Sequence, residues 1–375
     1  PEAVLGPRRA MPHGRLAVGR FPHRYAPDAA DGRMQASHPW VPDMNIGMPP
    51  VDREAIEALA ARAYSACDDG DLGEARVRFD ALLAVAPDAP DYHYMQGLVC
   101  KYLRDWPMSL HHNLRSLALR TDADADEASR WNAAIAATAL GEWTEARRQW
   151  ADCGIDIPDG NGAIDANFGV ASIRLNAWDN GETLFAKRID PVRARLINIP
   201  LPDSGYRYGD IVLHDGASTG QRRFHQSMVP VLNALQRLET SEFQTFAVFV
   251  TCPQQADLDA LVDARMPGIA YIEDWTESIV HLCLRCSYDA PHRHDEDAHP
   301  ATERIEWSPE RNIGIAAQSR HSVTRLIDRW KSEGGGRRLD AIEHRDTTPG
   351  SPPVRGTQWW LSPEDRADAE GTATD

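Results

Sequence analysis

Gly70-Asp71-Leu72, Arg104-Asp105-Trp106 and Gly141-Glu142-Trp143 are three versions of one short segment, and the chain around each of them repeats too. The first is followed by Ala75, Phe79, Leu82 and Pro87, the second by Ser109, Asn113 and Ser116, and the third by Ala146, Trp150 and Cys153. Ala63 and Gly97 lie 34 residues apart, as do Ala75 and Ser109. A period of that length is a helix–turn–helix unit that buries its apolar face by stacking on copies of itself. The third copy is displaced by three more residues, a shift that the acidic stretch Thr121-Asp122-Ala123-Asp124-Ala125-Asp126 can absorb.

Each copy makes physical sense as a helix pair. Ala63, Gly97 and Ala134 are small enough to let two helices cross closely, and Phe79 and Trp150 are large enough to fill the gap to the next helix. Gly70 and Gly141 suit the inter-helix turn, where a positive φ costs glycine little. Pro87, after Leu82-Leu83-Ala84-Val85, ends a helix where the pattern requires it. The second copy departs most, with Arg104 at the turn-glycine position and Asn113 at that of the large aromatic.

Over roughly 100 residues from Asp52 the chain resembles the tetratricopeptide repeat family. The resemblance implies an α-solenoid of about three helix pairs that binds a protein or peptide on its concave side. In that family the first helix of each unit faces the groove. Arg62, Tyr92, His93, Gln96, Lys101, Arg130 and Asn132 are then the expected partner-binding residues, and solvated helix surface is the plainer reading of the same positions. So short a solenoid needs a cap or a neighbouring domain at its open end.

The chain carries 56 acidic against 40 basic residues, a formal charge of −16. That balance disfavours nucleic acid or an anionic membrane as the main partner, because both need local positive charge. No run of 18 apolar residues suggests a membrane-spanning helix, and no charged start leads into an apolar secretory segment. The six cysteines are scattered and do not form a small disulfide framework. Cytoplasm is the expected compartment.

Composition predicts four regions. Residues 1–48, rich in Pro, Arg, His and Ala, read as a disordered or spurious extension, with Met44 or Met48 as a natural start. Residues 49–158 hold the helical repeats and residues 159–333 a second domain. Residues 334–375 read as a disordered tail, opening with Gly334-Gly335-Gly336-Arg337-Arg338. Within that tail Trp359-Trp360-Leu361 is either a docking element or incidental.

From Gly160 the helical period gives way to short strand-like runs, among them Gly169–Leu175, Thr183–Ala186, Ala194–Ile199 and Asp210–His214, which suggest a small antiparallel sheet or barrel. Asp215-Gly216 and Thr219-Gly220 read as hairpin turns. Val229–Leu235 then reads as a helix, Thr245–Val250 as a strand, Gln255–Ala264 as a helix, Gly268–Ile272 and Asn312–Ala317 as strands, and Ser322–Trp330 as a helix. The fold class is therefore mixed: an N-terminal α-solenoid followed by a C-terminal α+β domain, whose order suits a ferredoxin-like topology. Arg188–Arg195 and Tyr208–Gly216 also give the whole chain a resemblance to bacterial proteins named only for their tetratricopeptide repeats, which implies no activity.

Two clusters could carry chemistry. Cys283 and Cys286 have C-x2-C spacing, and His292 or His294 could complete a tetrahedral shell, for which zinc is the fitting metal. Against this, Ile279, Leu282, Cys283 and Cys286 also fall on one helical stripe, as core residues do. The stretch from His214 through Ser218 to His225 holds Ser, His and Asp but lacks the G-x-S-x-G elbow of a hydrolase. The expected function is a cytoplasmic protein- or peptide-binding adaptor with no evident catalytic set and no cofactor. A zinc domain or enzyme built on Cys283, Cys286, His292 and His294 is the alternative, and an antitoxin-like or immunity protein is a third possibility.

Overall fold

Gly70, Arg104 and Gly141 all adopt left-handed φ, at 71°, 60° and 72°. Each ends a helix in the same way: the next residue's N–H reaches back five positions, from Asp71 to Ala66 O at 2.8 Å, Asp105 to Cys100 O at 2.9 Å and Glu142 to Ala137 O at 2.9 Å. This is the hydrogen-bond signature of a Schellman C-cap. It joins α1 (Pro50–Asp68) to α2 (Leu72–Val85), α3 (Pro90–Tyr102) to α4 (Trp106–Leu119), and α5 (Glu127–Leu140) to α6 (Trp143–Asp152). Asp71 caps α2 by accepting from Glu74 N at 2.9 Å. The computed structural model describes residues 50–120, 127–179, 181–276, 307–356 and 358–361.

The six helices share one apolar core. Ala60, Ala63, Phe79, Leu82, Tyr92, Ala134 and Trp150 are all buried in it. In the second unit the close crossing is polar: Ser109 Oγ donates to Gly97 O at 2.8 Å, and Asn113 Nδ2 donates to Ser109 O at 2.8 Å. Asn113 occupies the space that an aromatic ring fills in the other copies.

A closed five-stranded barrel follows, with strands in the order β1 (Val170–Leu175), β2 (Glu182–Arg188), β3 (Arg193–Leu196), β4 (Ile211–Phe224) and β5 (Ser227–Glu239). Successive strands are antiparallel, and β1 closes on β5 in parallel through Ser172↔Val231. Ala171, Ile173, Ala186, Ala194, Val212 and Ala234 fill its interior.

The third part has the order β6 (Gln244–Thr251), α7 (Gln255–Val262), β7 (Ile269–Asp274), β8 (Glu310–Ala317), α8 (Arg320–Ser332) and β9 (Arg338–His344). Its sheet runs β7-β8-β6-β9 with every neighbour antiparallel, a split βαβ arrangement. Phe246, Val248 and Val250 turn one face toward Leu258, Leu261, Val323, Ile327 and Trp330 of the two helices. The opposite face meets the barrel side, where Trp275 and Ala316 pack with Ile199 and the half-buried Tyr208 and Phe243.

Three sequence expectations are corrected. Val229–Leu235 lies in strand β5 rather than in a helix. The strand is buried on both faces, one in the barrel and one against neighbouring chain, so it reads as a continuous apolar run with no period of two. Asp215-Gly216 and Thr219-Gly220 are not hairpin turns but lie within β4, where its register with β5 shifts. The hairpin turns instead at His225, which has φ 51°. Finally, the expected tail beyond residue 333 contains β9, and Trp359 and Trp360 are buried in the helical core.

Candidate functional site

The seven expected groove residues do not form an open surface. Tyr92, His93, Gln96, Lys101 and Asn132 are each 7% exposed or less. Arg62 is exposed, and the half-exposed Arg130 pairs with Asp152 at 3.3 Å. Gln96 Nε2 donates to Asp80 Oδ1 at 2.6 Å, which ties α3 to α2. Lys101 reaches out of the array altogether. Its Nζ lies 3.1 and 3.2 Å from the two carboxylate oxygens of Asp215 on β4. Tyr102 Oη also donates to Asp215, at 3.2 Å.

The barrel and the C-terminal segment dock along the inter-helix turns. The turn of the first unit carries the C-terminal segment: Gly73 N donates to Val354 O at 3.1 Å, Arg355 pairs with Asp71 at 3.2 Å, and Gln358 Nε2 donates to Cys67 O at 3.3 Å. At the second turn, Trp106 Nε1 donates to Gln236 Oε1 of β5 at 2.6 Å, and the Arg104 guanidinium lies 4.9 Å from the Trp178 ring centroid. At the third, the Arg193 guanidinium lies 4.7 Å from the Trp143 ring. Trp131 of α5 presses on Gly216, where an added Cβ would come within 3.0 Å of the indole. The turns that end the helices thus also carry the contacts to the barrel and to the C-terminal segment.

Trp359 and Trp360 close the seam. Trp360 stacks on Tyr102 at 4.6 Å and 13°, and Trp359 meets both Tyr102 and Trp178 edge-on at 5.4 and 5.3 Å. Asn233 Nδ2 of β5 donates to Trp359 O at 3.1 Å. The apolar trio was visible in the sequence, but the partners that bury it come from three distant stretches of chain.

Few groups here are poised for chemistry. The Nδ1 atoms of His93 and His112 lie 2.9 Å apart, and His93 Nε2 lies 2.9 Å from Pro87 O. The carbonyl can only accept, so neutral His93 carries its proton on Nε2 and accepts at Nδ1 from His112. His112 Nε2 is then a buried lone pair with no hydrogen-bond partner among the described residues. Burial first, then the charges of His93, His111 and Arg76, hold His112 down at about 4. Burial likewise drives the Cys67, Cys100 and Cys153 thiols up to about 12, so none is a nucleophile at neutral pH.

The side chains of Ser218, His214 and Asp215 are turned to other partners and not to one another. Ser218 Oγ donates to Gly220 O at 2.8 Å, His214 Nδ1 donates to the Asp215 carbonyl at 2.8 Å, and the Asp215 carboxylate serves Lys101. Burial and then the Arg188 charge hold His214 down at about 3, so it stays neutral. Sequence reasoning missed two carboxylates at the barrel–sheet seam. Glu182 accepts from Leu201 N at 3.0 Å, while Glu273 accepts from Asn198 Nδ2 at 2.9 Å and Ile199 N at 2.8 Å. Burial, and then the Glu273 charge, raise Glu182 to about 8.

Cys283, Cys286, His292 and His294 lie outside the described residues. Among the described residues no group of three or more His, Cys, Asp or Glu is arranged to hold a metal ion, and no helix is long and apolar enough to cross a membrane. No protein-family model, curated protein or solved structure matches the chain.

Proposed function

We propose that α1–α6 form a tetratricopeptide-type array, that β6–β9 with α7 and α8 form a ferredoxin-like unit, and that the protein is a non-catalytic adaptor that binds a protein or peptide. The observation that carries this reading is the threefold recurrence of one helix–turn–helix unit with the same left-handed turn and the same backbone hydrogen bond. Such stacks are rigid, with each unit held by its neighbours, and they present side chains at fixed intervals. The barrel and the C-terminal segment occupy the turn edge, so partner binding falls to the surface left open on the first two units. Arg62 on α1 is exposed there, and Tyr94 and Leu98 on α3 are half-buried.

Panning a random peptide library against the full chain tests the proposal, with Arg62→Glu and Leu98→Asp as counter-selection variants. Enriched peptides that bind the parent and lose the variants support it. Absence of enrichment, or enrichment indifferent to both substitutions, overturns it.

A further inference from the structure

A cleft of about 250 Å3 opens where the barrel meets the antiparallel sheet. Its base is one row of the barrel, because Arg195 of β3 pairs with Ile211 of β4, and Ile211 pairs with Glu239 of β5. Residues directly opposed on neighbouring strands point to the same face with Cα atoms about 5 Å apart. A cation and a carboxylate therefore stand about 10 Å apart at Cα across an apolar floor. Arg195 and Glu239 are both exposed, and neither makes an ion pair among the described residues. The Arg195 guanidinium makes one hydrogen bond among the described residues, Nη1 to Gly209 O at 3.3 Å.

Two aromatic rings form a corner beside this row. Tyr208 and Phe243 have ring centroids 6.5 Å apart and planes at 70°. Tyr208 is held in place by stacking on Tyr271 at 5.3 Å and 16°. Glu242, which also lines the cleft, accepts from Gln318 Nε2 at 2.8 Å and adds a second negative charge to the lining. An electron-rich ring corner flanked by carboxylates attracts an organic cation, and quaternary ammonium groups most of all. An exposed guanidinium nearby, with donors to spare, selects a carboxylate. A simple cation would leave Arg195 uncompensated, and a simple anion would face two glutamates.

We propose that this cleft binds a small betaine-type zwitterion, its carboxylate on Arg195 and its quaternary ammonium in the corner of Tyr208 and Phe243, facing Glu239 and Glu242. The site is separate from the partner surface assigned to the helical array and does not depend on it.

The test is a calorimetric or NMR titration of the full chain with glycine betaine, with choline and acetate titrated in parallel as the two half-ligands. The proposal expects saturable binding of betaine and at least tenfold weaker binding of either half. It also expects a loss of tenfold or more in each of Arg195→Gln and Glu239→Gln, with unchanged melting temperature because both side chains are exposed. Betaine that fails to bind, choline or acetate that binds as well as betaine, or binding untouched by both substitutions would each overturn it.

Discussion

Lys101 Nζ lies 3.1 Å from Asp215 Oδ1 with both side chains only 4% exposed, so one buried ion pair joins the third helix of the array to the fourth strand of the barrel. Asp215 also accepts from Tyr102 Oη at 3.2 Å and from Gly216 N at 2.8 Å. That set of donors satisfies the carboxylate, whereas the ammonium has, among the described residues, the carboxylate and the Tyr102 ring, 4.4 Å away. Removing one partner of such a pair strands the other charge without water, at a cost of about 3–5 kcal/mol. Lys101→Met and Asp215→Asn are each expected to lower stability by that order, while the double variant loses less than the sum. Urea unfolding of the four proteins measures the coupling. Simple additivity would show that the two charges do not depend on each other.

Gly97 is a second point where one residue dictates its neighbour. A Cβ there would come within 2.5 Å of Asn113 Nδ2 and 2.8 Å of Asn113 Cγ. Gly97→Ala should therefore destabilise by about 1–3 kcal/mol, the usual cost of overpacking a tight core. In a Gly97→Ala/Asn113→Ala background the clash disappears, and the alanine at 97 should cost less than it does alone. Thermal unfolding of the single and double variants decides it. If the cost at 97 is the same with and without Asn113, the contact is not what excludes a side chain there.

These two contacts also mark where the sequence was legible. The helix pairs declare themselves locally, through a left-handed turn, a small residue and a large one at fixed offsets, and the structure places all six helices accordingly. Gln96 and Lys101 show where that reading stops. A polar residue on a helix predicts a solvated face, yet both are buried because Asp80 and Asp215, 16 and 114 residues away, supply their partners. Strand β5 was misread for a related reason. With both faces covered, Val229–Leu235 carries no alternation to separate it from a buried helix. Nor does local composition reveal that Trp359 closes on Tyr102 and Trp178.

The Trp359–Trp360 clamp, which sits where the helical core meets the barrel, can be tested by truncation. Trp359 is 1% exposed and is held by Tyr102, Trp178 and the Asn233 amide. Trp359→Ala leaves a large cavity at the seam, for which about 3–5 kcal/mol is expected. The loss should be localised. Hydrogen exchange should speed up at the α3–α4 turn around Tyr102 and Arg104 and in β5 near Asn233, and should stay unchanged in the sheet formed by β6–β9. Uniform acceleration over the whole chain would mean that the residue supports global stability rather than the joint.

Acidity gives the remaining test, through His112. Its folded pKa of about 4 lies below its ordinary 6.5, with burial the largest cause and His93, His111 and Arg76 adding to it against Asp105. The unfolded chain therefore takes up a proton, as pH falls below 6.5, that the folded chain refuses. The stability present above pH 6.5 is lost as pH drops toward 4, by about 3 kcal/mol at most. His214, held down at about 3, adds to the loss in the same direction. Glu182 works oppositely. Raised to about 8 from 4.5, it contributes stability below pH 4.5 that is lost as pH rises to about 8. Urea midpoints measured from pH 4 to 8 should fall toward both ends. His112→Asn should remove the loss between pH 6.5 and 4 and Glu182→Gln the loss between pH 6.5 and 8, the two contributions opposing each other between pH 4.5 and 6.5. If His112→Asn leaves the acid limb unchanged, the refused proton belongs to another group and the inferred His93–His112 tautomer arrangement falls with it.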